Sequence, residues 1–502
     1  MHFNRYSHQS IPAQAENMEQ FYQILTLVGL FAYWLIAAGV AIRVIIKRRS
    51  IGVSLAWMMV IYFVPFFGVI GYLLIGEQNW GKARENRAKL MYAPYREWFA
   101  DLFKFRQYQP KELSQYGHSI SALCENRLGI PSLGNNQLEL QTTPQEILNS
   151  MISDINSAQS SINLEFYIWH PGGLADNVAQ ALIDAANRGV DVKLLLDAAG
   201  SRQFFKSHWP KQLRKNGIEV TNALLVSPLR MFFRRLDLRM HRKIVIIDNC
   251  IGYTGSMNMV DPAFFKQNAH VGQWIDVMVR LTGSNVPVLN TINSWDWEVE
   301  TNHRHLPEAP KCISLDADNP VDILQVIPSG PGMPTEIIHQ VLLLSIYQAK
   351  SEIVITTPYF VPSEGLMFAL VSAAHRGVSV ELIIPYRNDS TMVKWASRSF
   401  FSELLSAGVK IYRFKGGLLH TKSVVIDQNH CLIGTVNLDM RSLWLNSEVT
   451  LAVDDVAFTQ KLGKLQQSYI DDSVQVDHQV WRKRPVYKRV IEQFFYMFSP
   501  LL

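Results

Sequence analysis

Two long uncharged runs open the chain. Residues 22–42 read YQILTLVGLFAYWLIAAGVAI without a single charge. At about 1.5 Å per residue this run reaches roughly 30 Å, the depth of a hydrocarbon layer. Arg43, Lys47, Arg48 and Arg49 follow at once, and a second uncharged run extends from Ser50 to Gly76. Pro65 lies inside that second run, a position membrane helices tolerate. The pattern predicts a polar tail over residues 1–20 and two transmembrane helices over 21–76, paired as a hairpin. A secretory signal would need a shorter apolar stretch and a small-residue cleavage site. Basic clusters flank the second run on both sides, with Lys82, Arg84, Arg87, Lys89 and Arg96 beyond it. The two clusters oppose each other, so the positive-inside rule does not orient the hairpin.

After a juxtamembrane linker region at 77–140, the pattern changes to short apolar runs alternating with helical periods, and it does so twice. SINLEFYIWH from Ser161 leads to ALIDAANRGVDVKLLLD ending at Asp197. SEIVITTPYF from Ser351 leads to ALVSAAHRGVSVELIIP ending at Pro385. Each copy reads strand, helix, Arg-Gly-Val, strand, with the glycine suited to the residue just past a helix end. Strand–helix–strand order implies a parallel or mixed α/β sheet. The copies are assigned to residues 141–318 and 319–480, with the Pro- and Gly-rich stretch Pro328–Pro334, or the polar run just before it, as the boundary. A basic and aromatic segment, 481–502, closes the chain. It favours membrane-surface contact over core packing, whereas the cluster of Arg230, Arg234, Arg235 and Arg239 around Met231, Phe232 and Phe233 reads either as a solvated loop or as an interfacial patch that meets anionic lipid heads.

Composition narrows the class. The chain has 502 residues, 48% hydrophobic and 18% charged, enough apolar material for a large core and too much for disorder. Its formal charge of +5 is a modest excess for this length. It suits an anionic membrane surface better than a nucleic acid. Cys124, Cys250, Cys312 and Cys431 are scattered, with neither metal-ligand spacing nor a disulfide framework, and read as buried free thiols.

The repeat carries its chemistry in a second pair of motifs. MHRKIVIIDNCIGYTGSMN supplies His241, Lys243, Asp248, Ser256 and Asn258; LHTKSVVIDQNHCLIGTVN supplies His420, Lys422, Asp427, Thr435 and Asn437. Both read HxKxxxxD and then G[ST]xN at the same spacing. Residues two apart on a strand share a face, so each histidine points the way its lysine does. Two copies packed about a pseudo-two-fold axis bring both pairs to one pocket. There one histidine can attack phosphorus and the other can protonate the leaving alkoxide. Two lysines can neutralise the phosphate oxygens without a metal, and Asn258, Asn437, Ser256 and Thr435 can bind those oxygens. Strand parity turns Asp248 and Asp427 to the opposite face, where they would orient the motif from behind. A nucleophilic histidine wants a carboxylate partner. Asp276 in GQWIDVMV and Glu448 in NSEVTLAV are candidates, each downstream of its own copy's histidine.

This duplicated pattern resembles the phospholipase D superfamily. GSMNMVDPAFFKQ, VGQWID, TTPYFVPS and GTVNLDMRSLWLNSE narrow the resemblance to bacterial cardiolipin synthases. It implies two tandem phospholipase D-like α/β sandwich repeats sharing one pseudo-two-fold active site. It also implies phosphatidyl transfer between two phosphatidylglycerol molecules through a phosphohistidine, with no cofactor or metal, in the bacterial cytoplasmic membrane as a multi-pass protein. The HxKxxxxD triplets His241, Lys243, Asp248 and His420, Lys422, Asp427 then count as the catalytic set, with His241 as nucleophile and His420 as acid–base partner. Water or another alcohol could resolve the same intermediate, and a nuclease could use the same motif on nucleic acid. The apolar N-terminus and low net charge weigh against the nuclease.

Overall fold

A computed structural model describes residues 13–47, 51–64, 66–76, 81–105, 113–225, 235, 237–307 and 322–502. The chain divides into two compact units. The first is residues 1–81 with 227–237; the second is residues 82–226 with 238–502.

In the first unit, α1 runs over Ala13–Ile46, and α2 covers Ile51–Phe63. Residues Met18–Ile46 of α1 are long and apolar enough to cross a membrane. Most of its large side chains stay exposed, Phe31 by 68%, as suits a helix solvated by lipid, while Tyr33 and Val44 are buried. The second run does not form the continuous span expected for it. After α2 comes Phe66, at φ +62°, and then a short α3, Phe67–Gly71, and a π-helical turn, Tyr72–Gly76. Proline at position 65 has no N–H to donate to the preceding turn, which favours a break there. Gly68 packs so closely on the backbone of Val60 and Ile61 that no Cβ would fit, so the chain doubles back. At 13 residues, α2 reaches only about 20 Å. Among the described residues one helix, not two, is therefore long enough to span.

The second unit begins with α4 (Lys82–Asp101) and α5 (Gln115–Leu128), followed by β1 (Leu133–Gln141). The expected linker is thus folded. Trp98, Phe99, Tyr116 and Ile120 are buried in the main core, and β1 pairs with two strands of the sheet. Strongly apolar positions every three to four residues account for this. The first repeat then runs α6 (Pro144–Ser157), β2 (Ser161–Phe166), α7 (Leu174–Asn187), β3 (Asp191–Asp197), α8 (Arg202–Lys206), α9 (Trp209–Lys215), β4 (Glu219–Ala223), β5 (Lys243–Ile247), β6 (Ile251–Gly255), β7 (Trp274–Ile275), β8 (Met278–Gly283) and α10 (Val286–Thr301). The second runs β9 (Asp322–Ser329), α11 (Ile337–Gln348), β10 (Glu352–Thr356), β11 (Phe360–Val361), α12 (Glu364–His375), β12 (Ser379–Pro385), α13 (Thr391–Ser406), β13 (Lys410–Phe414), β14 (Leu418–Leu419), β15 (Ser423–Ile426), β16 (His430–Gly434), β17 (Leu438–Asp439), α14 (Met440–Trp444), β18 (Glu448–Asp454), α15 (Val456–Asp471) and β19 (Ser473–Gln475). Then come α16 (His478–Arg482) and α17 (Val486–Tyr496).

Fifteen of these strands form one mixed sheet, in the order β19-β13-β12-β10-β15-β16-β18-β9-β1-β8-β6-β5-β2-β3-β4. Read outwards from its middle, β9, β18, β16, β15, β10, β12 and β13 repeat β1, β8, β6, β5, β2, β3 and β4. The antiparallel β1–β9 pair is the seam. The shared Arg-Gly-Val has a local reason. Gly189 and Gly377 sit at φ +94° and +89°, ending α7 and α12. The side chains of Arg188 and Arg376 donate to carbonyls at the ends of α6 and α11, locking neighbouring helices together.

The 318/319 boundary falls outside the described residues, and Pro328 lies within β9 rather than in a connecting loop. Of the basic cluster, Arg230 and Met231–Arg234 also lie outside, as does Cys312. Cys124 and Cys431 are buried, but Cys250 is exposed, at the β5–β6 turn. The C-terminal segment docks one face of α17 on α13 and turns its other face outward.

Candidate active site

β5 opens on Lys243, two residues after His241, and β15 begins just past Lys422, which stands two residues after His420. Both histidines and both lysines are buried. Each lysine Nζ donates to the carbonyl of the histidine two residues back, at 2.6 Å in both copies. That local tie is what the HxK spacing encodes.

The two repeats interlock at this point. The His241 N–H donates to the Ser447 carbonyl at 2.9 Å, and the His420 N–H to the Ile275 carbonyl at 2.8 Å. β14 pairs in parallel with β7, and Met240 bridges to Ser447. Each histidine therefore lies beside the residue that precedes the other repeat's acid. His241 Nδ1 meets Glu448 Oε2 at 2.8 Å, and His420 Nδ1 meets Asp276 Oδ1 at 2.7 Å. The sequence reading paired each acid with its own copy's histidine; the exchange follows from parallel pairing across the repeats, which no within-copy spacing can reveal.

Ser256 and Thr435, expected on the phosphate, are committed elsewhere. The Ser256 hydroxyl donates to Asp276 at 2.6 Å, and that of Thr435 to Glu448 at 2.5 Å. Each also accepts a backbone N–H, from Val277 and Val449. They hold the carboxylates that hold the histidines. Asn258 accepts the Ile168 N–H, while the Asn437 side-chain oxygen has no hydrogen-bond partner and is buried.

Asp248 and Asp427 do not join the pocket. Both sit at hairpin turns with φ near +50°. Asp248 accepts N–H groups from Gln159, Ser160 and Ser161. Asp427 accepts those of Lys350, Ser351 and Glu352 together with the Tyr116 hydroxyl. Partial burial pushes the Asp427 carboxyl up, but these donors outweigh it and hold it at about 2. The third member of each motif thus ties the β5–β6 or β15–β16 turn to the start of the neighbouring strand.

Electrostatics join the two halves. Burial pushes His241 and His420 down to about 4. Glu448 and Asp276 pull the other way, and Lys243 and Lys422 add to the depression. Lys422 acts on His241, and Lys243 on His420, so each half feels the other's cation. Burial also lowers Lys243 to about 7 and Lys422 to about 8. With Nδ1–H donated to a carboxylate, each neutral imidazole presents a bare Nε2. Among the described residues no cluster of His, Cys, Asp and Glu has the makings of a metal site.

Five residues with a part in the site escaped the motif reading. The Tyr167 ring packs on His241 at 4.9 Å between centroids and the Trp274 ring on His420 at 4.5 Å. Asp197 accepts the Met240 N–H, fixing the chain just before His241. Arg242 donates to the Glu448 and Ser329 carbonyls and pairs with Asp296, stitching the first motif to β18 and β9. Arg239, assigned to a solvated or interfacial cluster, lies close enough to oppose in part the upward push that burial gives Tyr167 and Asp197. Trp274 stands two residues before Asp276 and was visible in GQWID; the others need the fold.

The family profile described as "Cardiolipin synthase, PLD-like domain" matches residues 151–277 and again 342–469, and one described as "Phospholipase D-nuclease N-terminal" matches 34–77. Proteins named cardiolipin synthase A from Yersinia pseudotuberculosis and Yersinia pestis are each 50% identical over 486 residues, covering 97% of this chain and 100% of theirs. In fold, the chain is similar to a crystal structure of phosphatidylserine synthase from Haemophilus influenzae, with a TM-score of 0.55 and 16% identity over 76% of this chain and 97% of that one. The repeat seen in the sheet is the repeat the profile finds, and half of all positions are shared along nearly the whole length: the chain belongs to the cardiolipin synthase family of the phospholipase D superfamily.

Proposed function

We propose that the enzyme joins two phosphatidylglycerol molecules into cardiolipin and glycerol through a phosphatidyl-histidine. The observation that carries this reading is the pair of buried imidazoles, each held at Nδ1 by a carboxylate from the opposite repeat. His241 Nε2 attacks the phosphorus of the first lipid. The bond to the glycerol headgroup oxygen breaks, and the His420 imidazolium gives that oxygen its proton. His420, now neutral, takes a proton from the free headgroup hydroxyl of the second lipid. That oxygen attacks phosphorus, the P–N bond breaks, and His241 returns to its starting state. Lys243 and Lys422 face the charge that grows on the phosphoryl oxygens, and Asn258 and Asn437 add amide donors. An anionic phosphate in the pocket favours one bound proton between the two histidines, and the first step uses the state in which His420 carries it and His241 stays neutral.

Family membership and α1 support placement in the bacterial cytoplasmic membrane. A multi-pass arrangement would need the second apolar run to form one continuous helix in lipid. The test of function is purified full-length protein in vesicles containing phosphatidylglycerol labelled in the glycerol headgroup and, separately, in an acyl chain. Release of labelled glycerol with matching appearance of doubly acyl-labelled cardiolipin is expected. Phosphatidic acid as the main product would refute transfer in favour of hydrolysis.

A further inference from the structure

The last helix is amphipathic in an unusual sense. On the face of α17 that meets α13, Glu492 is fully buried and takes ion pairs from Arg398 at 3.0 Å and Arg484 at 2.9 Å. Those two guanidinium groups also stack on Trp481, 4.6 and 4.5 Å from its ring. The protein-facing side is thus pinned by charge. The opposite side carries Val486, Tyr487, Val490, Phe494 and Met497, between 55% and 76% exposed. At 100° per residue these five fall within an arc of about 100°, centred well away from Glu492. Val480 on α16, 71% exposed, continues the apolar surface. Arg482, Lys483 and Arg489, all exposed, lie beside it. Soluble helices place their apolar stripe inward; a contiguous outward stripe with basic neighbours fits a lipid surface.

The helix is also linked to the catalytic pocket at both ends of its contact. Its partner α13 starts two residues after Asp389, whose carboxylate accepts from the Tyr359 hydroxyl and pairs with Lys266. The Lys266 ammonium lies 5.1 Å from the Trp274 ring, which packs on His420. Past α17, the carbonyl of Leu502 accepts the Arg441 N–H, and the Arg441 charge reaches Tyr167, which packs on His241.

We propose that α17 is an interfacial helix: its outward apolar stripe sinks among anionic lipid headgroups and its basic neighbours pair with their phosphates, so that the catalytic mouth faces the layer supplying the substrate. The occupant is a lipid surface rather than a second copy of the chain, because the stripe is bordered by like charges. Two copies would bring those charges together, whereas anionic lipid neutralises them.

The test uses full-length protein in vesicles, with Cys250 and Cys312 changed to Ser and one environment-sensitive fluorophore at Phe494→Cys, or at the α13 control Ser406→Cys. With phosphatidylserine present, the label at 494 should be quenched by bromines on the acyl chains. It should be shielded several-fold from aqueous iodide relative to the label at 406. Equal iodide access at the two sites overturns the proposal. So does shielding at 494 without bromine quenching, which would mean a protein cover. Neither readout requires turnover, so both stand apart from the substrate assignment. In a second arm, Val490→Glu with Phe494→Glu should lower turnover of vesicle-borne phosphatidylglycerol by roughly tenfold. Turnover of a short-chain monomeric analogue should stay within about twofold of wild type. Equal loss on both substrates overturns the proposal.

Discussion

Glu448→Gln separates crossed carboxylates from a within-repeat arrangement. The Glu448 carboxylate meets His241 at 2.8 Å, is held by Thr435 at 2.5 Å, and has no solvent exposure. A glutamine keeps the volume but removes the charge, and it can present an N–H to Nδ1 where a proton acceptor is needed. The imidazole then loses the tautomer that leaves Nε2 bare. A charge-assisted hydrogen bond in so dry a site is worth about 2–4 kcal/mol, roughly 30- to 1,000-fold in the attack step. The assay is acid-quench trapping of acyl-labelled lipid on the enzyme, with peptide mapping. Glu448→Gln should suppress label on the peptide spanning Met240–Lys243 nearly as fully as His241→Ala. Asp276→Asn and His420→Ala should still permit label there, because water can assist departure of glycerol, while release of product slows. If instead Asp276→Asn removed label from His241 while Glu448→Gln left it intact, the cross-repeat pairing would be wrong. Label on the Leu419–Lys422 peptide would exchange the roles of the two histidines, and the lost-label variant should then be Asp276→Asn.

Other outcomes follow from the same geometry. The pH profile of kcat/KM should be a bell. Its acid limb reflects protonation of the bare Nε2 of His241, whose pKa is lowered to about 4. Its alkaline limb begins with loss of the His420 proton, whose pKa is likewise lowered to about 4 in the free enzyme, and steepens from about pH 7 upward, where Lys243 and Lys422, at about 7 and 8, lose the charge they carry below those values. Asp427→Ala should cost about 1–3 kcal/mol of stability, read as a lower thermal midpoint, because three backbone N–H groups and the Tyr116 hydroxyl lose a charged acceptor. The folded fraction should keep turnover within about tenfold of wild type, and a loss comparable to His420→Ala would return that aspartate to the pocket. Thr435→Val should lower kcat about tenfold by loosening Glu448, and Thr435→Ser should restore it. Turnover should survive a strong chelator, since two lysines supply the positive charge; rescue by one specific divalent ion would contradict this.

Much of this was legible in the sequence because the repeat writes its own alignment. Two HxKxxxxD copies with the same downstream spacing identified the pocket residues, and strand parity alone turned Asp248 and Asp427 away from it. The carboxylate exchange was hidden because a one-dimensional pattern can count residues within a copy but cannot say which copy a strand pairs with. Ser256 and Thr435 misled for a related reason. A hydroxyl beside a glycine looks like a phosphate ligand until the acid that claims it is placed next to it. The linker at 77–140 misled because its basic residues drew attention away from Trp98, Phe99, Tyr116 and Ile120, which are core. The second apolar run was measured by length, and length says nothing about a chain doubling back at Phe66.

The seam between β1 and β9 has a consequence for how such a chain can be divided. A sheet of fifteen strands in one piece has only two open edges, at β19 and β4. Cut between the repeats, the same strands would expose two more, at β1 and β9. Each new edge would be a row of unpaired N–H and C=O groups with apolar flanks, the surface that invites sticking to any neighbouring strand. Each half would then find its best available mate in another copy of itself, seam to seam. Fusion into one polypeptide fills that vacancy in advance and leaves the two halves free to diverge, as Trp274 and Asn446, each two residues before an exchanged acid, already have.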